Sequence, residues 1–319
     1  MVGYKQTRVV LFGGTGFVGR HLANALFDQG CEVVIVSRRP QRHRHLLVLP
    51  TVHMVEGDIH DCASVSRLVE NADAVVNLIG ILNEGRGDNT FERIHSRFPE
   101  NLAAACIEQN VGRLMHVSAI GSKTDAPSSY LQSKGRGETA IVAAMDRGLS
   151  ATVFRPSIVF GPHGGITQMF ERMLKLAKGF FLVVCPDAQM QPVHVQDAAH
   201  CIAQSLREPQ AAGNCYDLAG PDVLTLYEIV SIINELSGCN RRLIRVNDSV
   251  SSLVASVLQY LPGKPITPDN VLSMQVPSVS DSGFPEFWDS PLRGMRQTAE
   301  SWLTTRENKF NAYRGHAGR

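Results

Sequence analysis

The chain has 319 residues, 44% hydrophobic and 19% charged, with a formal net charge of +1. That length buries a full core, as one large α/β unit or one domain with a smaller one appended, and the near-neutral charge gives no reason to expect nucleic acid as a partner. The seven cysteines are scattered with no C-x-x-C pair, which predicts reduced thiols of a cytosolic-type compartment and neither a disulfide framework nor a metal site. No apolar run reaches transmembrane length, and a strand expected almost at once argues against a signal peptide.

Arg8 opens that strand. Val9, Val10, Leu11 and Phe12 are four consecutive apolar residues, the pattern of a strand buried on both faces of a parallel sheet. The run ends in Gly13-Gly14-Thr15-Gly16-Phe17-Val18-Gly19, and a helical pattern (Val18, Leu22, Ala25, Leu26) follows directly. Strand, glycine turn, helix is the context that a dinucleotide fingerprint requires, here in a G-x-x-G-x-x-G variant. Gly13 allows the sharp turn, Gly16 removes a Cβ where a pyrophosphate would approach, and Gly19 lets helix and strand pack closely, with the helix's free amides facing the phosphates.

Glu32–Val36 predicts the second strand, followed by Ser37-Arg38-Arg39-Pro40. An acid at this place would bind a ribose 2′-hydroxyl, whereas arginines can hold a 2′-phosphate, so the site favours NADP(H), with NAD(H) the alternative. A solvated basic loop of Arg38, Arg39, Arg42 and Arg44 is the competing reading. Val52–Asp58 predicts a third strand ending at Asp58-Ile59, where Asp58 could accept from an adenine amino group or cap a helix. A helix near 64–70 leads to a fourth strand, Ala74–Gly80, whose end (Leu78, Ile79, Gly80) belongs with the cofactor set. The alternation of strands and helices predicts a Rossmann-type doubly wound parallel sheet with helices on both faces.

A helix from about 91 to 109 and a fifth strand, Arg113–Ser118, come next. Ser118 lies at the C-terminal end of that strand, where doubly wound sheets place their sites. Tyr130 and Lys134 follow in Y-x-x-x-K, one helical turn apart and so on one face. An ammonium beside the phenol is expected to lower its pKa towards a range useful for proton transfer and could also bond a nicotinamide ribose. A sixth strand, Ala151–Phe154, runs into Arg155-Pro156-Ser157-Ile158. Further on, His194 is expected to be a core histidine before a catalytic base, and Asp197 a helix N-terminal acid.

These motifs together resemble a family. GGTGFVG, V-E-G-D-I at 55–59, Y-x-x-x-K at 130–134, FRPSIVFGP at 154–162 and PVHVQDAA at 192–199 look like the extended and atypical short-chain dehydrogenase/reductases of the NAD-dependent epimerase/dehydratase superfamily. Within it, HVSAIGS, SSYLQSKGRGE and the C-terminal half resemble the family of respiratory complex I accessory subunits called alpha subcomplex subunit 9. The resemblance implies tightly held NADPH, with the glycine turn on the pyrophosphate and the arginines at 38–39 on the 2′-phosphate. It places Tyr130 and Lys134 on the nicotinamide ribose and Pro156, Ser157 and Ile158 along the nicotinamide. Two departures stand out. Ala119 occupies the place of a catalytic hydroxyl residue, and His95 aligns with a structural asparagine of the preceding helix.

The organisation expected is a cofactor domain over 1–220, with substrate-type elements inserted from about 162 to 192, and a smaller domain and tail over 221–319. In that last part a helix over 227–236 shows a packed apolar face. Ser251–Leu261 is apolar and is expected in the core before a lipid- or partner-facing role, for want of flanking cations. Ser278–Trp288 carries Phe284, Phe287 and Trp288 as a lid or docking surface, and 307–319 is expected to be polar and loosely held. Two functions remain open. One is a cofactor-holding accessory or assembly protein of a quinone-linked, membrane-bound respiratory complex, cytoplasmic or peripheral at the inner face of the membrane. The other is an oxidoreductase on a small carbonyl or quinone-like substrate, with Tyr130 as proton donor and Ser118 orienting the carbonyl. A sugar-nucleotide epimerase is third.

Overall fold

The computed structural model describes residues 6–260 and 264–303, so Leu261 and the tail 307–319 lie outside the described residues. In chain order the first part is β1 (Arg8–Phe12), α1 (Phe17–Asp28), β2 (Glu32–Ser37), β3 (Val52–Glu56), α2 (Cys62–Val69), β4 (Ala74–Asn77), α3 (Phe98–Glu108), β5 (Arg113–Val117), α4 (Ser129–Met145) and β6 (Ala151–Pro156). Then follow β7 (Val159–Gly161), α5 (Gly165–Leu176), β8 (Phe180–Val183), β9 (Gln189–Met190), β10 (Val193–His194), α6 (Val195–Ser205) and β11 (Cys215–Leu218). The last are β12 (Leu224–Thr225), α7 (Leu226–Leu236), β13 (Arg242–Arg245), α8 (Asp248–Leu258), α9 (Pro268–Ser273) and α10 (Met295–Leu303).

Seven strands form one parallel sheet in the order β11-β6-β5-β4-β1-β2-β3. The order reverses between β1 and β4, the switch point at which doubly wound sheets bind ligands. The fold class read from the sequence is therefore the one observed. Its cause is visible in burial: Val9 to Phe12, Val33 to Val36 and Ala74 to Val76 are almost wholly removed from water on both faces. Phe12 meets Phe98 of α3 edge-on at 5.3 Å inside the core that the sheet shares with α2, α3 and α4.

The chain divides into two compact units. The first holds the described residues up to Pro156, Val195–Leu218 and Ser282–Asp289; the second holds Ser157–His194, Ala219–Asp281 and the described residues from Ser290. Residues 282–289, which the sequence assigns to the C-terminal piece, thus lie in the first unit. There Phe287 packs edge-on against Tyr216 at 5.4 Å and its carbonyl accepts from Gln204 Nε2 at 2.7 Å, which anchors the segment beside β11. The second unit has its own core of Phe160, Phe170, Leu174, Leu226, Ile229 and Ile233. Its α7 starts in a capping box, Thr225 with Glu228.

Three expectations change. The helix expected from 91 to 109 begins with a π-helical turn over 92–97 before α3, the kind of irregularity that gathers at functional sites. The third and fourth strands end at Glu56 and Asn77, so Asp58 and Leu78–Gly80 lie on loops at the sheet's C-terminal edge. In α8 Ser251 and Ala255 are fully buried and Leu258 packs on a small core with Ala255, Ile266 and Val271, whereas Leu253 and Val257 face outward; the core assignment holds for one side of this helix.

Candidate functional site

The glycine turn after β1 is built by close approach. Gly13 has φ +86°, which favours glycine, and a Cβ there would stand 3.0 Å from the Leu78 carbonyl carbon and 3.1 Å from Ile79 N. A Cβ on Gly19 would lie 2.4 Å from Gly13 O, so the first turn of α1 can rest on the loop only with glycine at this place. Gly14 packs in the same way on Ile35. Gly16 differs: a Cβ would meet only Gly13 O, at 3.1 Å, so protein packing accounts for little of its smallness. No side chain caps α1 at Gly16 and its first turn holds no acid. The amides around Thr15, Phe17 and Val18 therefore form the kind of uncapped helix start that receives a pyrophosphate.

At the end of β2, Ser37 Oγ accepts from Arg39 N–H at 3.2 Å and shapes the turn. Arg38 and Arg39 are exposed, and neither guanidinium has an ion pair or hydrogen bond among the described residues. Beyond β3, Asp58 Oδ1 accepts from His60 N–H at 2.9 Å, while the cap of α2 is Asp61, which accepts from Ala63 N–H. The helix-cap reading of Asp58 is thereby corrected. Ile59 packs against the first unit's core.

The loop after β4 is organised by polar groups, of which the sequence reading singled out His95 and missed Asn77 and His116. Fully buried Asn77 accepts from Ile79 N–H through Oδ1 at 3.0 Å and donates through Nδ2 to His116 Nδ1 at 3.1 Å. His116 thus carries its proton on Nε2, which is buried with no partner among the described residues. Ile81 N–H donates to His95 Nε2 at 3.0 Å, so His95 carries its proton on Nδ1 and donates to Ser133 Oγ at 2.9 Å. Ser133 in turn donates to the Tyr130 carbonyl at 2.7 Å. Every donor and acceptor in this chain agrees with one neutral tautomer. Burial, then the Lys134 charge, then His116 push His95 down to about 2, and burial with Lys134 pushes His116 down to about 3.

Tyr130 and Lys134 sit in the first two turns of α4, whose cap is Ser128 Oγ on Leu131 N–H. Lys134 is buried and its Nζ donates to the Val117 carbonyl at 2.9 Å. A Cβ on Gly80 would lie 3.4 Å from Lys134 Nζ and 3.6 Å from His95 Nε2, so the loop after β4, the π-turn and α4 converge. The Tyr130 ring stands edge-on to Phe91 at 5.9 Å and to His95 at 5.5 Å. The expected fall in the phenol's pKa is overturned: burial pushes Tyr130 up to about 12, and the same burial brings Lys134 down to about 8 against the pull of Glu138. Desolvation sets the direction of both shifts.

Ser118 follows β5 with its N–H on the Phe154 carbonyl at 2.7 Å, and its buried Oγ has no hydrogen-bond partner among the described residues. Pro156 ends β6 opposite Leu218, and its carbonyl accepts from Ile120 N–H. Ser157 and Ile158 fall in the second unit, where Ser157 Oγ donates to the Ser278 carbonyl at 2.7 Å and Ile158 packs on the second core. His194, also there, is buried edge-on to Phe160 at 5.1 Å, as expected of a core histidine. A signal for the missed network lay in the sequence. Gly135 and Gly137 follow Lys134 directly, and a Cβ on Gly137 would stand 2.0 Å from the His95 carbonyl oxygen, which marks the seat of α4 on the π-turn.

A glycine cradle at the switch point, arginines at the end of β2 and a Tyr–Lys helix define a nicotinamide-dinucleotide-binding protein of the short-chain dehydrogenase/reductase type. The chain belongs to the NAD dependent epimerase/dehydratase family, whose profile matches residues 9–219. It is 31% identical over 251 residues to the mitochondrial NADH-ubiquinone oxidoreductase 40 kDa subunit of Neurospora crassa, covering 78% of this chain and 65% of that one. It is 29% identical over 241 residues to the ceramide reductase of Caulobacter vibrioides, covering 75% of this chain and 74% of that one. It thus spans just under two thirds of the length of its complex I relative. In fold it is similar to UDP-glucuronic acid 4-epimerase from Bacillus cereus, solved with UDP-glucuronic acid and NAD, at a TM-score of 0.64 and 18% identity, over 84% of this chain and 97% of that one. Among the described residues, no helix is long and apolar enough to cross a membrane.

Proposed function

We propose that the chain holds NADPH as a resident cofactor and serves as a peripheral accessory or assembly protein of a quinone-linked respiratory complex, at the inner, cytoplasmic face of the membrane. Its uncapped glycine turn binds the pyrophosphate, Arg38 and Arg39 the 2′-phosphate, and Asp58 and Ile59 the adenine end. Tyr130 and Lys134 hold the nicotinamide ribose, with Pro156 at the end of β6 along the nicotinamide. When bound, the cofactor supplies a hydride. The observation that carries an accessory role is Ala119 in the place of a catalytic hydroxyl. A lost active-site donor costs on the order of 10² in rate. The similarity to a complex I subunit supports the choice of partner.

The second reading is an active reductase of a small carbonyl or quinone-like substrate. The unpartnered, buried Ser118 Oγ favours it, since that hydroxyl can donate to a carbonyl oxygen. A phenol protonated at neutral pH is also a ready acid for reduction, and the likeness to a ceramide reductase points the same way. Purification with cofactor analysis, followed by panels of quinones and ketones, separates the two. NADPH that co-purifies and is not oxidised supports the accessory role. Turnover abolished by Tyr130→Phe with NADPH binding retained establishes the reductase.

A further inference from the structure

The second unit presents a basic and apolar face that its own core does not use. β8 and β13 pair in parallel with Phe180 opposite Arg242 and Leu182 opposite Ile244, so these four side chains share one face. Phe181, Leu243 and Val183 point the other way, into the core. On the outward face Phe180 is 54% exposed, and Leu176, just before the strand, is 82% exposed. Apolar groups of this size are ordinarily buried.

The stretches 171–187 and 235–248 carry six cations, Arg172, Lys175, Lys178, Arg241, Arg242 and Arg245, against four acids, Glu171, Asp187, Glu235 and Asp248. Arg241 and Arg245 are used within the unit, on the Leu174 carbonyl and on Asp187 and the Tyr227 ring, and Lys175 is used on Glu171. Lys178 and Arg242 have no ion pair or hydrogen bond from their side chains among the described residues. They stand at the same strand ends, since Arg242 N–H donates to the Gly179 carbonyl at 3.0 Å.

The chain passes from β13 directly into α8, which carries exposed apolar side chains of its own. Val246 N–H donates to the Val183 carbonyl, and Asn247 then caps the helix, whose Ser251 Oγ accepts from Cys185 N–H at 3.0 Å. Leu253 and Val257, four residues apart and so on one helix face, are 67% and 62% exposed, and Tyr260 just beyond is 84% exposed. No charged residue occurs between Asp248 and Lys264.

We propose that the outward face of β8 and β13, together with the exposed apolar side of α8, docks on an anionic lipid surface, with Phe180, Leu182, Leu253 and Val257 entering the headgroup boundary and Lys178 and Arg242 meeting lipid phosphates. Aromatic and aliphatic groups beside unpaired cations, with the neighbouring Glu171 and Asp187 already held by Lys175 and Arg245, are what an anionic bilayer surface selects. The inference goes beyond the cofactor reading and does not depend on it.

The test is flotation of the full chain with vesicles of phosphatidylethanolamine and phosphatidylglycerol, and with vesicles of phosphatidylcholine alone. Binding to the anionic vesicles, and far less to phosphatidylcholine, is expected. Each cation near such a surface is worth roughly five-fold in partitioning, so Lys178→Gln with Arg242→Gln should weaken binding about 30-fold. Leu253→Asp with Val257→Asp should remove the remainder. Both variants should keep the wild-type circular dichroism and NADPH affinity, so a failure of lipid docking is distinguished from a failure of the cofactor reading. No flotation with anionic vesicles, or flotation indifferent to Lys178→Gln and Arg242→Gln, overturns the proposal. A concentration-dependent dimer lost in the Leu253→Asp variant also overturns it, by assigning the face to a second copy.

Discussion

Lys134 offers a perturbation whose size follows from its surroundings. Its ammonium is buried, and that burial lowers its pKa from 10.5 to about 8. The folded value lies below the unfolded one, so the stability linked to this group is complete above about pH 10.5 and lost as pH falls through about 8. At about pH 7 the charged form therefore costs roughly 3 kcal/mol. Lys134→Met removes the charge with nearly the same volume and leaves the Val117 carbonyl without its donor, a loss of about 1 kcal/mol. The variant should accordingly be about 2 kcal/mol more stable than wild type near pH 7. Wild type should gain about 1 kcal/mol between about pH 7 and 9, a gain the variant lacks; Tyr130, raised to about 12, does not titrate in that window. Urea unfolding of both proteins at the two pH values measures this. A variant no more stable than wild type, with the same dependence on pH, would refute the claim that a buried ammonium is held at this site against its own desolvation.

The neutral imidazoles act in the opposite pH range. His95 and His116 have folded pKa values far below 6.5, so their contribution is present above that pH and lost below it, roughly 2 kcal/mol each by about pH 5; thermal melts of wild type and His116→Asn should diverge as the buffer is acidified. Gly19→Ala pushes a Cβ to 2.4 Å from Gly13 O and should destabilise the fold by at least 1–3 kcal/mol, roughly, as well as removing cofactor binding. Gly16→Ala meets only one atom, at 3.1 Å, and should leave the melting temperature of the cofactor-free protein nearly unchanged while weakening NADPH, a contrast read by calorimetry and cofactor titration. Gly137→Ala drives a Cβ against the His95 carbonyl and should unseat α4, with loss of Tyr130 packing seen as a change in near-ultraviolet dichroism.

Much of the cofactor half was legible because close-packed backbone leaves its trace as glycine and as unbroken apolar runs. Val9–Phe12 and the three glycines after it need no tertiary knowledge, since strand burial and turn geometry are local. The polar support of the site was not legible in the same way. Asn77, His95 and His116 lie far apart in the chain and acquire their roles only when β4, the π-turn and β5 are brought together. The direction of the Tyr130 shift was misjudged for a related reason. Sequence shows that a lysine stands one turn away, but not how much water burial takes from both groups. In α8 periodicity marks an apolar stripe without saying which side of the helix the rest of the chain covers.

The central claim is that a nucleotide with a 2′-phosphate is held by the uncapped start of α1 and by Arg38 and Arg39. Equilibrium titration of the purified protein with NADPH and NADH, repeated on the Arg38→Ala, Arg39→Ala double variant, tests it most directly. Tighter binding of NADPH than NADH by wild type is expected, with the preference lost and NADH affinity nearly unchanged in the variant. Equal affinities in wild type, or a preference that survives the loss of both arginines, would contradict it.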